Sequence, residues 1–460
     1  MTTPSLREPG AILLLSCYEL GHQPLGLAWP RAFLERAGFS PHTLDLAVEP
    51  LDEGMVRRAR LVAIAVPMHT ALRLGVHAAE RIRRINPECR IVCHGLYAQL
   101  NADHLLRQCV DVVLGGESEA ELVAVAEQLD LGEEPARHTG LRLERPSFPI
   151  PRRDGLPALT RYASLLRDGR RTPAGYVEAS RGCLHMCLHC PTPAVYGGRF
   201  FAVPRDIVLE DVRRLVVAGA GHITFGDPDF LNGPGHALKL VRALHEEFPA
   251  VTYDFTAKIE HIVRHPGLFP EFAATGCVFV VSAVESLSDL VLAHLEKGHT
   301  RADVDVALGV VRGAGIVLRP SLVPFTPWAG IEDYLDLLDW VAREGLVDQV
   351  DPVQFTIRLL IPPGSLLLSR PAIWPFLGRL EPGEFTYRWT HPDPRMDSLQ
   401  RDVSLLAERA ASSAEDPAMT FGRIRALAYD RVGRAGTAGA YRAPPPERPI
   451  PPRLTEPWFC

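Results

Sequence analysis

Three cysteines fall close together at Cys183, Cys187 and Cys190, in the run Gly-Cys-Leu-His-Met-Cys-Leu-His-Cys-Pro. The spacing CxxxCxxC supplies three thiolates, one fewer than an iron–sulfur cube needs to ligate every iron. A three-cysteine loop therefore leaves one iron open for a substrate or cofactor. Two other readings use the same residues. With His185 or His189 the thiols make a tetrahedral zinc site, although no second CxxC lies downstream to support one. Alternatively, the three are inert buried thiols.

The elements that must position this loop fall into two alternating series. In the first, apolar strands are expected at Ala11–Ser16, His42–Leu46, Leu61–Val66, Arg90–Cys93 and Val110–Leu114. Helices are expected at Leu27–Ala37 and Leu72–Ile85. Strands alternating with helices predict a doubly wound parallel sheet, which binds ligands at the carboxyl ends of its strands. The polar or glycine-bearing stretches there are Gly21–Leu27, Pro67–Thr70, His94–Tyr97 and Gly115–Glu117; ordinary turns are the alternative for each. The second series has strands at Tyr176–Ala179, His222–Phe225, Thr252–Thr256, Val278–Val281, Ile316–Leu318 and Val353–Ile357, with helices between them. Six such units predict a partial (β/α)6 barrel, with the cysteine loop at the carboxyl end of its first strand, where barrel active sites lie. The fold class expected is thus α/β: a Rossmann-like domain at 1–130, a linker at 131–172, the barrel at 173–368, a C-terminal cap over the barrel mouth at 369–434 and a proline-rich flexible tail at 435–460.

Composition narrows the function. The chain has 460 residues and a net charge of −6, which gives no support for a nucleic-acid or anionic-membrane partner. No apolar run approaches a membrane span, and the N-terminus lacks a signal-peptide pattern. Nine cysteines, an odd number, fit a reducing cytoplasm better than a disulfide framework.

The cysteine loop after a strand resembles the radical S-adenosylmethionine (SAM) superfamily, with His189 where that family usually has an aromatic residue. The order of parts resembles its B12-binding-domain members, over roughly residues 10–365. The resemblance implies a [4Fe–4S] cluster on Cys183, Cys187 and Cys190, with SAM chelated to the open iron. It also implies cobalamin in the first domain, near Pro24, Leu25, Gly26, Met68, His69, Thr70, Gly95, Gly115, Gly116 and Glu117. The motif Asp-x-His-x-x-Gly, whose histidine ligates cobalt in many cobalamin domains, is absent, so cobalt is expected to carry no protein nitrogen. In the barrel the resemblance places SAM contacts at strand ends. Gly226, Asp227 and Asp229 follow the second strand, Lys258 and Glu260 the third, Ser282 and Glu285 the fourth, Arg319 and Ser321 the fifth, and Arg358 the sixth. Helix capping for Asp227 or Asp229, and structural ion pairing for Arg319 and Arg358, are the alternatives. A ribose diol or Arg319 is the expected partner for a buried Glu285, and Lys297-Gly298-His299-Thr300 reads as a helix stop and cap without chemistry.

The end of the chain, Glu456-Pro457-Trp458-Phe459-Cys460, resembles a radical SAM group with a Cys-Cys/selenocysteine-Ala-Glu-Pro tail, cut at its first cysteine. That implies a possible selenoprotein and a reactive Cys460 at the active site. The expected function is reductive cleavage of SAM, with cobalamin-assisted methylation or bond formation on a small-molecule substrate and a flavodoxin or ferredoxin as electron donor. One alternative is 3-amino-3-carboxypropyl transfer to a thiol-bound acceptor such as arsenite. Another, of a different class, is a non-catalytic metal-binding scaffold.

Overall fold

The computed structural model describes residues 5–434, 445 and 447–455. Its first sheet comprises β1 (Ile12–Ser16), β2 (His42–Asp45), β3 (Leu61–Ala65), β4 (Arg90–His94), β5 (Val112–Gly116) and β6 (His138–Arg142). The strands are all parallel in the order β2-β1-β3-β4-β5-β6. β1 and β3 are buried along their whole length, as continuous apolar runs in a sheet covered on both faces must be. The order reverses at β1, so the crevice between β1 and β3 is the switch point where such sheets take ligands.

A second row of strands follows: β7 (Ser164–Arg167), β8 (Arg170–Val177), a short antiparallel pair β9 (Ser180–Gly182) and β10 (Phe200–Ala202), then β11 (His222–Phe225), β12 (Thr252–Thr256), β13 (Cys277–Glu285) and β14 (Val317–Leu322). β8 and β11 to β14 are parallel neighbours. The helices Arg205–Val217, Pro234–Glu247, Arg301–Gly313 and Ile331–Arg343 bury their apolar faces in one large core with these strands. A β15–β16 hairpin (Leu377–Glu381 and Thr386–Trp389) and the helices Pro394–Ser412 and Pro417–Asp430 come next, and a two-residue strand, β17 (Arg453–Leu454), ends the described chain.

Four expectations change. The sixth barrel strand, Val353–Ile357, is instead a 3-10 turn at Pro352–Phe355. A proline at its start cannot donate to a ladder, and the Gln354 side chain accepts the Leu322 N–H (2.9 Å) that a neighbouring strand would have paired. The 131–172 segment is not a bare linker, because it gives β6 to the first sheet and β7 to the second. The tail is not wholly extended. β17 pairs with β7 at the edge of the second sheet, giving the order β14-β13-β12-β11-β8-β7-β17. Asp351 draws the two ends of that row together, 2.9 Å from Arg319 on β14 and 3.7 Å from Arg453 on β17. Finally, the 369–434 segment divides. The hairpin packs with Leu188 of the cysteine loop, whereas the helix Pro417–Asp430 lies against the outer helix Ile331–Arg343 and the helix Pro394–Ser412 against the 3-10 turn at Pro352–Phe355. Arg358, between them, pairs with Asp397 (2.7 Å) and stacks on Trp389, so its role is to hold the hairpin to the barrel.

Candidate active site at the domain junction

The cysteine loop leaves β9 at Gly182, whose φ is +75° and where a Cβ would meet the Arg199 carbonyl oxygen at 2.3 Å. Only glycine fits there, so the entry to Cys183 is fixed by backbone crowding. Asp227 braces the same turn from β11, accepting from the Ala179 N–H (3.0 Å) and the Ser180 hydroxyl. Its carboxylate oxygens are therefore already engaged inside the protein, and burial raises it to about 7. Cys183 receives a weak bond from the Asn232 amide (3.6 Å), Leu188 donates to the Leu295 carbonyl (3.0 Å), and Cys190 caps the helix Pro191–Tyr196. The three thiols do not gather within the 4.8 Å that a single ion needs, and His189 faces Glu285 (3.2 Å).

Glu285 ends β13 in the left-handed region, φ +61°, an uncommon and costly conformation for a side-chain-bearing residue. Its partner is Lys297 (3.1 Å), not Arg319, which pairs with Asp351. Against the cost of burial, Lys297 and then His189 hold the Glu285 carboxyl far below the usual range. The run at 297–300 does cap a helix, through Thr300 and Asp303, but Lys297 is also a buried counter-ion beside the cysteines. The other rim residues divide. Lys258 and Glu260 pair with each other (3.3 Å). Asp229 is fully buried beside His185 and His261. Ser282 donates to the Ala257 carbonyl (2.7 Å) and so serves the strand. Ser321 lies opposite Ala283 in the β14 ladder.

Glu285→Ala strands the Lys297 cation, so stability falls by about 3–5 kcal/mol together with SAM affinity. Adding Lys297→Met restores melting but not SAM binding. Calorimetric titration and thermal melts of the single and double variants check this, and unchanged SAM affinity in both would make Glu285 purely structural.

Across the junction a cleft runs between the strand ends of the first sheet and the start of the barrel. Its cavity volume is about 280 Å³, and it is open to solvent on one side. Leu25, Gly26, Met68, Gly95, Gly116 and Gly226 line it, whereas Pro24, His69, Thr70, Gly115 and Glu117 do not. His69 instead bonds the Glu384 carbonyl (2.7 Å) of the hairpin loop. Gly26, at the switch point, sits where a Cβ would lie 2.4 Å from Glu19 Oε1 and 2.8 Å from Ala65 Cβ. The Glu19 carboxylate takes the place of a helix cap, accepting from the Leu25 and Gly26 N–H groups (both 3.0 Å). Burial, and then the Asp45 charge, push Glu19 up to about 8. At the head of β5 and β9, Arg181 binds Glu117 (2.8 Å), Glu119 (2.8 Å) and Glu178 (3.1 Å) across the junction. His94 also lines the cleft, with Nε2 buried and without a hydrogen-bond partner among the described residues; burial and then Arg181 lower it to about 4.

In the protein without cofactors, Glu19 weakens the fold as pH rises. Its folded value lies above the ordinary one, so its contribution is intact below about pH 4 and is lost as pH climbs through about 8. Glu19→Gln is expected to melt with wild type at pH 5 and above it at pH 9, by on the order of a few kcal/mol. Parallel melting curves at both pH values would overturn this.

Sequence reasoning missed Arg181, Asn232, His261 and Lys297. A signal existed for His261, which opens an HxxxH spacing with His265. The others matter only through tertiary contact. Cys460 lies outside the described residues. The remaining cysteines, Cys17, Cys89, Cys93, Cys109 and Cys277, are buried, and burial raises their thiols, Cys17 and Cys89 to about 12 and Cys109 to about 11.

A Rossmann-type domain thus meets an open β/α barrel that carries three thiols on its rim. Residues 177–341 match the radical SAM superfamily. It is 25% identical over 321 residues to the hopanoid C-3 methylase of Methylococcus capsulatus, covering 66% of this chain and 62% of the methylase. The chain thus spans less than two thirds of that relative. Its fold resembles the radical SAM methyltransferase TsrM of Kitasatospora setae, solved with cobalamin and a [4Fe–4S] cluster (TM-score 0.57, 18% identity, 72% of this chain and 73% of that one). It also resembles the cobalamin-dependent SAM radical enzyme OxsB, solved with aqua-cobalamin and SAM (TM-score 0.67, 14% identity, 87% and 67%). Among the described residues no helix is long and apolar enough to cross a membrane.

Proposed function

We propose that the protein is a radical SAM enzyme. In this reading it carries a [4Fe–4S] cluster on Cys183, Cys187 and Cys190, binds SAM beside it, and uses cobalamin in the interdomain cleft to methylate or bond a small-molecule substrate. The observation that carries the reading is the three-thiol loop directly across the domain junction from a cleft edged by Gly26, Gly95 and Gly116. When bound, these groups supply the one-electron and methyl-transfer chemistry.

The residues present fit them. Burial raises Cys183 and Cys190, the latter to about 11, and a bound metal core is what deprotonates such thiols. The cleft offers a corrinoid's peripheral amides the carboxyl groups of Glu19 and Glu178 and the open Nε2 of His94. Other residues bind and orient. Against burial, the Glu285 carboxylate and then the thiols Cys187 and Cys190 hold Lys297 charged, so a cation faces the cluster loop from below. His189 and Glu285 form the polar wall beside the third cysteine, where SAM's ammonium and ribose groups find acceptors. The Leu188 anchor and the hairpin exclude water from the far side.

The test is anaerobic reconstitution of protein produced with ample cobalamin, reduced by flavodoxin or ferredoxin, with nucleoside analysis. 5′-Deoxyadenosine supports this reading. Methylthioadenosine would support 3-amino-3-carboxypropyl transfer, for instance to arsenite. Absence of SAM cleavage would leave a metal-binding scaffold. A corrinoid absorbance that never accompanies the protein would remove the cobalamin half.

A further inference from the structure

We propose that His185, Asp229 and His261 form a mononuclear site for a borderline divalent cation of the zinc class, beside the cysteine loop and separate from its three thiols. The residues come from three elements: His185 from the cysteine loop itself, Asp229 from the segment after β11, and His261 from the short helix after β12. Each offers one ligand atom, and the three atoms lie within 4.8 Å of one another, the one group of this kind among the described residues. Both histidines approach one carboxylate oxygen: His261 Nδ1 lies 2.8 Å and His185 Nε2 3.6 Å from Asp229 Oδ2.

Burial and missing partners give the cluster its meaning. Asp229 is fully buried and His261 nearly so. The Leu231 N–H fixes Asp229 through Oδ1 (3.1 Å), which leaves Oδ2 turned to the histidines. Among the described residues, both Asp229 Oδ2 and His261 Nδ1 lack a hydrogen-bond partner, although they lie 2.8 Å apart: they face one another without the alignment of a hydrogen bond. Two buried polar atoms aimed at one spot are costly unless something there satisfies both, and with Nδ1 unprotonated a cation does. Two imidazoles and one carboxylate are the ligand types of open zinc sites, which keep a fourth position for water or a substrate atom, and of ferrous facial triads.

The surroundings support the ligands. Glu260 Oε2 lies 3.5 Å from His185 Nδ1, the position from which a carboxylate orients a metal-bound imidazole. Lys258, the nearest cation, is turned to Glu260 (3.3 Å), so its charge is taken up there. A competing arrangement needs no metal: the Nε2 atoms of His185 and His261, 3.3 Å apart, share one proton. Metal content separates the two. The inference holds whichever bond of SAM is cleaved, and its readout does not depend on turnover.

Protein carrying its reconstituted iron–sulfur cluster is equilibrated with zinc, dialysed against metal-free buffer, and analysed for zinc, iron and sulfide. The expected result is one zinc per chain in addition to the cluster iron. Asp229→Asn and His261→Gln should bind zinc at least tenfold more weakly while keeping the cluster's iron and absorbance. A second measurement uses Co2+ on the protein with Cys183, Cys187 and Cys190 all replaced by Ser. There, d–d bands without sulfur-to-cobalt charge transfer are expected, and they should disappear in the added His261→Gln variant. Three results would each overturn the site: no zinc beyond the cluster, zinc undiminished in both variants, or cobalt bands lost with the three cysteines alone.

Discussion

Cys187→Ala protein, reconstituted anaerobically with iron and sulfide, forms no stable [4Fe–4S] cluster and cleaves no SAM. The loop has no spare thiol. Cys89, Cys93, Cys109, Cys17 and Cys277 are buried in other parts of the fold, away from the loop. With two thiolates in place of three, two irons are left without protein ligands, and the cluster is lost instead of merely weakened. Folding itself should survive, because the loop is held by Gly182, by the Leu188–Leu295 bond and by the Cys190 cap, none of which uses the Cys187 sulfur. Iron and sulfide analysis, absorbance near the cluster bands and nucleoside assays check this. Wild-type cleavage by Cys187→Ala would end the cluster assignment, whereas the same substitution at Cys109 should leave cleavage intact.

Arg181→Met loosens the junction between the two domains and costs about 3–5 kcal/mol, the penalty for removing one partner of a buried ion cluster. Arg181 is 8% exposed, faces three carboxylates, and its guanidinium also lies over Trp29 (5.0 Å) and Phe148 (5.3 Å). Three acids to one base is already an imbalance. Burial raises Glu117 and Glu178 even with the arginine present. Without it, at least two of them must take up protons or admit water. Lysine should rescue little, since a single ammonium cannot fork to carboxylates on both domains. Glu119→Gln added to Arg181→Met should restore part of the loss, because it removes one uncompensated charge. Urea unfolding and protease sensitivity of residues 143–160 measure the effect; an unchanged midpoint would mean that apolar packing alone joins the domains.

Much of this architecture was legible in the chain, and what escaped did so for identifiable reasons. The strands of the first sheet stood out because a sheet covered on both faces needs uninterrupted apolar runs, such as Leu61–Ala65. The helices of the barrel stood out through apolar spacing and caps, Thr300–Asp303 among them. β17 is two residues long, too short for any alternation to register, and its proline-rich flanks read as unstructured chain. The 3-10 turn at Pro352 looked like a strand because Val, Phe, Thr and Ile carry strand preference, whereas a side-chain amide supplied the pairing. At the rim, strand ends located the right neighbourhood, but direction was beyond the sequence. Asp227 turns inward to the Ala179 N–H and the Ser180 hydroxyl, Arg319 turns to Asp351, and Lys297 comes back from a distant helix stop to meet Glu285.

The short pairing of β17 with β7 fixes the direction in which the end of the described chain runs. Ser164 lies opposite Pro173 on β8, and Thr455 donates to the Ser164 carbonyl (2.9 Å). The chain at Thr455 is thus four residues below Val177, the end of β8. β17 also runs the same way as β8, toward the barrel rim. The chain thus reaches Thr455 along the edge of the sheet, heading for the same end that carries the cysteine loop. A two-residue pairing is the smallest fastening a sheet edge can offer, yet it fixes a direction that a proline-rich segment would otherwise not have. It also decides where a truncation is informative: cutting after Pro452 removes the edge strand, whereas cutting after Thr455 leaves it in place.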